Sequence, residues 1–172
     1  DLDGCNSGGT LQGSVLYQNV IESLIQKTTK GELKPRLATS WERLDDTTWR
    51  VKLRQGVTFH DGNPFNATTA KKSIERTLNK ALFCKDRARN FPDLTLDVTA
   101  VDDDTLVFKT SRPDSILPTR LAGIGIVGPN TKPDKFVLDP VGTGPFVLDS
   151  WQAGVQILMK QNPKYWGAKP QA

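Results

Sequence analysis

Between residues 37 and 65 apolar and polar positions alternate along the chain. Trp49, Val51 and Leu53 interleave with Arg50, Lys52 and Arg54, the period-two pattern of a half-buried strand. Trp41 and Leu44 lead into the polar run Asp45-Asp46-Thr47-Thr48, so this strand is predicted to be the second arm of a hairpin. Val57 and Phe59 carry the alternation past Gln55-Gly56 as a third extended run. His60-Asp61-Gly62-Asn63-Pro64 is a dense set of turn formers, with Gly62 available for a positive φ. Asn66 is placed to cap a helix over 67–79. Its buried stripe is Ala70, Ile74 and Leu78, and Lys71, Lys72, Glu75 and Arg76 are expected to face water.

The same reading extends along the chain. Residues 10–26 predict a helix, with Leu16, Val20 and Leu24 beside Val15, Ile21 and Ile25 on its core side. Residues 28–32 form a turn, and the charged segment up to Pro92 is expected to be irregular. Leu94, Leu96, Val98 and Val101, then Leu106, Phe108 and Thr110, predict a second hairpin around Asp102-Asp103-Asp104. Those carboxylates lack the alternating spacing and distant bidentate Glu of a calcium loop, so they read as a solvated turn. A short helix over 113–121 precedes the small, apolar stretch 122–129 and a loop over 130–140. Two strands follow, one begun by Phe146, Leu148 and Trp151 and one over 156–160, and Tyr165-Trp166 close the chain as core anchors.

Composition narrows the class. With 37% hydrophobic and 24% charged residues in 172, the chain is a folded globular protein, not a disordered one. No apolar run approaches the ~20 residues of a membrane span, and the opening Asp1-Leu2-Asp3 is not a signal peptide. The net charge of +4 comes from scattered Lys and Arg without a nucleic-acid motif, so no nucleic acid partner is expected. One histidine and two distant cysteines, Cys5 and Cys84, exclude an ordinary four-ligand zinc site, and no metal or cofactor is expected. His60 has no G-x-S-x-G partner, Gly142-Thr143-Gly144 lacks the third glycine of a dinucleotide fingerprint, and no P-loop occurs. The chain does not read as an enzyme.

Two motifs carry a resemblance. Leu37-Ala38, Ser40-Trp41, Asp45-Asp46, Trp49, Leu53-Arg54, Gly56, Phe59-His60-Asp61-Gly62 and Pro64 are similar to the pattern of the bacterial extracellular solute-binding proteins of family 5. These are the peptide-, nickel- and opine-binding components of ABC importers. Gly142-Thr143-Gly144-Pro145-Phe146, with Asn162-Pro163 and Tyr165-Trp166-Gly167, resembles the family's second signature, and Val98 to Leu106 resembles its acidic hairpin. Leu2-Asp3-Gly4 departs from the family's Leu-Asp-Pro, since glycine does not fix φ as proline does.

The resemblance implies an α+β fold, the N-terminal portion of a large, three-domain binding protein of periplasmic type II, with mixed β-sheets and packed helices. It divides the chain into a first segment of the main lobe (1–35), a small β-rich inserted subdomain (36–141) and a return segment (142–172), the second ligand-closing lobe being absent. It implies capture of a small-molecule or peptide solute for an ABC importer permease. The location is periplasmic, or extracellular and membrane-anchored in a Gram-positive source. Ligand-sensing or purely structural use of the same module is the alternative. By position, the solute-facing residues are Ser7, Gly8, Gly9, Thr10, Gln12, Gly123 and Gly125. The two glycines either leave room for ligand bulk or let backbones approach closely. Export would favour a Cys5–Cys84 disulfide, closing a loop of about 80 residues for about 4.5 kcal/mol in the chain-entropy model. The alternative is two separate reduced thiols. Flanks lacking their neighbouring strands are expected to expose apolar surface and to favour self-association.

Overall fold

The computed structural model describes residues 2–6 and 11–170. Its largest unit is a four-stranded antiparallel sheet in the order β4 (Ala38–Arg43), β5 (Thr48–Leu53), β7 (Thr105–Thr110), β6 (Leu96–Asp102). Both predicted hairpins are therefore present, and they join through β5 and β7, where Trp49 faces Phe108 and Val51 faces Leu106. Trp49, Val51, Leu53, Val98, Leu106 and Phe108 are buried on one face. A bulge between Ala100 and Asp102 turns Val101 to solvent. The run at Val57 and Phe59 is buried but is not a regular strand: Thr58 makes one isolated bridge, to Pro64.

Helix α2 (Ala67–Leu78) lies against β6 and β7. It starts where the cap chemistry says it should. The Asn66 side chain accepts from the Thr69 N–H while the Thr69 hydroxyl accepts from the Asn66 N–H, a reciprocal capping box. Ala70, Ser73, Ile74 and Thr77 form the buried face. Arg76, expected at the surface, is instead buried. Its guanidinium grips the carboxylate of Asp3 at 2.6 and 2.9 Å and donates to the carbonyls of Lys132 and Lys135. A fully hydrogen-bonded ion pair of this kind compensates the desolvation that sends a lone arginine to water.

Two further expectations are corrected. The predicted helix over 10–26 ends early: α1 spans Leu11–Asn19, and the N–H groups of Val20 and Ile21 both bond to the Leu16 carbonyl. The chain then becomes extended as β1 (Glu22–Ser23) and β2 (Ile25–Lys27). Strand β1 pairs with β8 (Gly125–Ile126), and β2 with β3 (Leu33–Pro35). The apolar residues Leu16, Val20, Ile21, Leu24 and Ile25 are all buried, but in two kinds of backbone, and Val15 is exposed. β-Branched residues tolerate the extended form well, and pairing with β8 satisfies the backbone there. The charged stretch before Pro92 is not irregular either. It forms a 3-10 turn over Lys80–Leu82 and α3 (Lys85–Asn90), with Asp86 buried in the first turn.

A short helix α4 (Leu117–Leu121) covers the end of the main core. Strands β9 (Phe146–Gln152) and β10 (Gln156–Gln161) form a separate hairpin. Its Leu148, Trp151 and Met159 pack on a second core of Leu2, Leu16, Val20, Ile21 and Val127, while Val155 and Leu158 are exposed.

Candidate functional site

Of the residues expected to face solute, Ser7, Gly8, Gly9 and Thr10 lie outside the described residues, as does the side chain of Gln12 in the first turn of α1. The chain just before them is firmly held. Cys5 and Cys84 form a disulfide with their Cα atoms 5.3 Å apart. The Asp86 N–H donates to the Cys5 carbonyl and the Lys85 N–H to the Asn6 side chain. Asp3 accepts from the N–H groups of Cys5 and Val137.

Gly125 pairs with Ser23 across β1 and β8. A Cβ on Gly125 would lie 2.7 Å from Ile21 Cγ2 and 3.1 Å from a Tyr17 ring carbon. One on Gly123 would lie 2.7 Å from Asn90 Cγ, and the Gly123 carbonyl accepts from the Asn90 amide. Close packing by neighbours thus accounts for both glycines. Beside them opens a groove of about 540 Å³, lined in part by Tyr17, Ser23, Gln26, Arg36 and Ala122. The Tyr17 hydroxyl donates to the Ala122 carbonyl at 3.4 Å. Burial pushes the Tyr17 phenol well above its ordinary range, with the charge of Asp86 adding to the rise and that of Arg36 opposing it.

Behind the groove the segments around Glu22, Arg36, Thr143 and Tyr165-Trp166 are braced together. Glu22 is fully buried and its carboxylate accepts four hydrogen bonds. They come from Arg36 Nε (2.9 Å), Thr143 Oγ1 (2.9 Å), Tyr165 OH (3.2 Å) and Trp166 Nε1 (2.8 Å). Burial, followed by the Glu22 charge and hydrogen bond, moves the Tyr165 phenol up to about 12. The Arg54 guanidinium stacks over the Trp166 ring at 4.2 Å, and its Nε donates to the Arg36 carbonyl.

His60 completes the brace. Its backbone N–H donates to the Gly142 carbonyl, its Nδ1 accepts from the Gly142 N–H at 3.3 Å, and its Nε2 lies 3.0 Å from the Gly144 carbonyl. This pattern requires a neutral ring protonated on Nε2. Burial lowers its pKa below the usual 6.5, against the opposing pull of the Gly144 carbonyl, Glu22 and Asp61. The unfolded chain therefore takes up a proton at higher pH than the folded one. Stability contributed by the neutral ring is complete above about pH 6.5 and is lost as pH falls through the folded value. Melting temperatures at pH 7.5, 6.5 and 5.5 should decline over this window, and His60→Gln should flatten that decline. Asp104, held near 2 by hydrogen bonds from Gln55 and its neighbours, acts only below about pH 4.

The sequence pattern of the Bacterial extracellular solute-binding proteins, family 5 Middle, matches residues 32–172. The chain belongs to the bacterial extracellular solute-binding proteins, family 5. Within the family, Protein XP55 of Streptomyces lividans is 33% identical over 165 residues, covering 88% of this chain and 29% of that protein. The dipeptide-binding protein of Escherichia coli (strain K12) is 32% identical over 200 residues, covering 96% of this chain and 36% of that protein. The solved structure of the binding protein AgaA from A. tumefaciens R10, in complex with agropinic acid, superposes with a TM-score of 0.83 at 27% identity, over 96% of this chain and 34% of that one. This family 5 chain thus spans about a third of the length of these relatives. Among its described residues no helix is long and apolar enough to cross a membrane.

The brace at Glu22 was not anticipated from sequence. One signal was available: a single carboxylate inside the apolar run Val20-Ile21-Glu22-Ser23-Leu24-Ile25, which a buried position tolerates only with partners. Tyr17 and Arg36 carried no such signal.

Proposed function

We propose that this chain is part of the substrate-binding component of an ABC importer, capturing a small solute, peptide-like or related, and delivering it to the membrane permease. The location is the periplasm, or the outer face of the membrane in a Gram-positive source. The family match over residues 32–172 carries this reading, supported by a relative named for dipeptide binding. In this reading residues 1–35 and 142–172 belong to the main lobe and 36–141 form an inserted subdomain. The second core, which draws Leu2, Leu16, Val20 and Ile21 together with Leu148, Trp151 and Met159, supports that division, and Val127 joins it from the 36–141 stretch. The solute lies against the segment from Ser7 to Gln12 and the face of Gly123 and Gly125, and a second lobe closes over it. The Glu22 and His60 brace keeps subdomain and main lobe moving as one body, so closure occurs elsewhere. No chemical step is required of any residue. Recovery of the protein from its own cells, followed by native mass spectrometry, should show a retained small solute. Calorimetric titration with dipeptides, opines and nickel chelates should then yield heat with the matching class. Neither retained solute nor heat from any class would sink the reading.

A further inference from the structure

We infer that the groove beside Arg36 binds a carboxylate group of the solute, with Lys27 as its charge partner. The inference rests on the solute-binding reading for the source of that carboxylate. A volume of about 540 Å³ falls within the usual range for small-molecule sites. Among the described residues the lining chemistry is rich in donors and free of competing negative charge. Lys27, Thr28, Thr29 and Gln26 come from one hairpin arm and its turn, Arg36 and Ser23 lie alongside, and among the described residues no carboxylate lines the groove. A carboxylate only accepts hydrogen bonds, so such a surface is complementary to it.

The nearby acids are engaged elsewhere. Glu22 is turned inward and already accepts from Arg36, Thr143, Tyr165 and Trp166. Asp86 is buried. Glu32 sits across the hairpin near Lys34, at 4.0 Å. Lys27 is exposed and has no salt-bridge partner among the described residues. The hydroxyls also leave donors over. Ser23 donates to the Ile25 carbonyl, but Thr28 Oγ1 accepts from the Glu32 N–H, which leaves its own O–H to donate. The β2–β3 pairing holds these groups in register, with Gln26 opposite Lys34 and Lys27 opposite Leu33. A preorganised set of donors loses little freedom when it binds.

Succinate is the probe and succinamide, its uncharged counterpart, the control. On the 15N-labelled chain, succinate should shift the amide resonances of Gln26 to Thr29 and of Ala122 saturably, and succinamide should leave them in place. Lys27→Gln should weaken succinate about two- to fivefold, the size expected of one exposed ion pair, and Lys27→Glu should abolish the shifts. Both variants alter an exposed side chain, so unchanged spectra elsewhere would confirm an intact fold. Equal shifts with succinamide, shifts scattered over the surface, or indifference to Lys27→Glu would overturn the inference. That failure would leave solute binding untouched, because peptide calorimetry reads it separately. Conversely, calorimetric silence toward every solute class alongside saturable succinate shifts would keep the groove and remove the transport reading.

Discussion

Replacing Glu22 with alanine will lower the unfolding free energy by about 4 kcal/mol, within the 3–5 kcal/mol typical of breaking a buried, hydrogen-bonded charge pair. The carboxylate is shielded from water and satisfies four donors at once. Removal strands the Thr143 hydroxyl in a site with no solvent access and leaves Arg36 with its charge but without this counter-ion. Tyr165 and Trp166 are only half-buried and can turn partly to water, which keeps the loss from being larger. Glu22→Gln should fall in between, at about 2 kcal/mol. It keeps the shape but offers one acceptor oxygen, and its amide presents hydrogens to groups that also donate. Urea unfolding followed by circular dichroism checks both values, and an unchanged m-value would show that the folded and unfolded states keep their compactness. A loss under 1 kcal/mol for Glu22→Ala would mean that the four donors find water readily and that the brace contributes little.

What the sequence made legible divides by range of interaction. Both hairpins followed from alternation at Trp49, Val51 and Leu53 and at Leu106 and Phe108, and the start of α2 from Asn66, because each signal and its structural consequence lie within a few residues. The end of α1 was not legible. Val20 to Ile25 continue a helical stripe equally well, and only pairing of Glu22 and Ser23 with Ile126 and Gly125 makes them extended. Arg76 was misread for the same reason: its partner, Asp3, lies 73 residues away. The region of the solute-facing expectations shows the same limit. Family likeness pointed to Gly123 and Gly125, whereas the neighbouring groove depends on Tyr17, Arg36 and the β2–β3 turn coming together in space. No local pattern records that convergence.

The Gly142-Thr143-Gly144 motif shows how a short signature can be demanded by a single close approach, and Gly142→Ala should cost about 4 kcal/mol or more. The ordinary cost of an extra methyl in a well-packed site is about 1–3 kcal/mol, since side chains shift to make room. Here the obstruction is backbone. A Cβ on Gly142 would collide with the Val20 carbonyl oxygen and lie 2.8 Å from its carbon and 3.0 Å from the Ile21 Cα. Gly144 meets the Asn19 carbonyl in the same way, with a Cβ 2.9 Å from its carbon. These contacts belong to the turn that closes α1 and opens β1, so yielding to the methyl would mean moving Val20 and Ile21, both fully buried. The same displacement would stretch the Gly144 N–H to Val20 carbonyl bond at 3.0 Å, draw Gly142 off His60, and pull Thr143 away from Glu22. Coupled losses of this kind push a substitution into the tail of the stability distribution. Gly128→Ala supplies the contrast: its nearest contacts would be side chains, Val141 Cγ1 at 2.9 Å, which can change rotamer, and Asp61 Oδ2 at 3.7 Å. Thermal melts of the two variants should therefore separate widely, and Gly142→Ala should also blunt the pH dependence attributed to His60, because displacing the 142–144 segment would let water reach the imidazole whose burial lowers its pKa. Similar melting temperatures for Gly128→Ala and Gly142→Ala would show that the 142–144 segment is free to move off α1, and the brace would then not be a rigid joint.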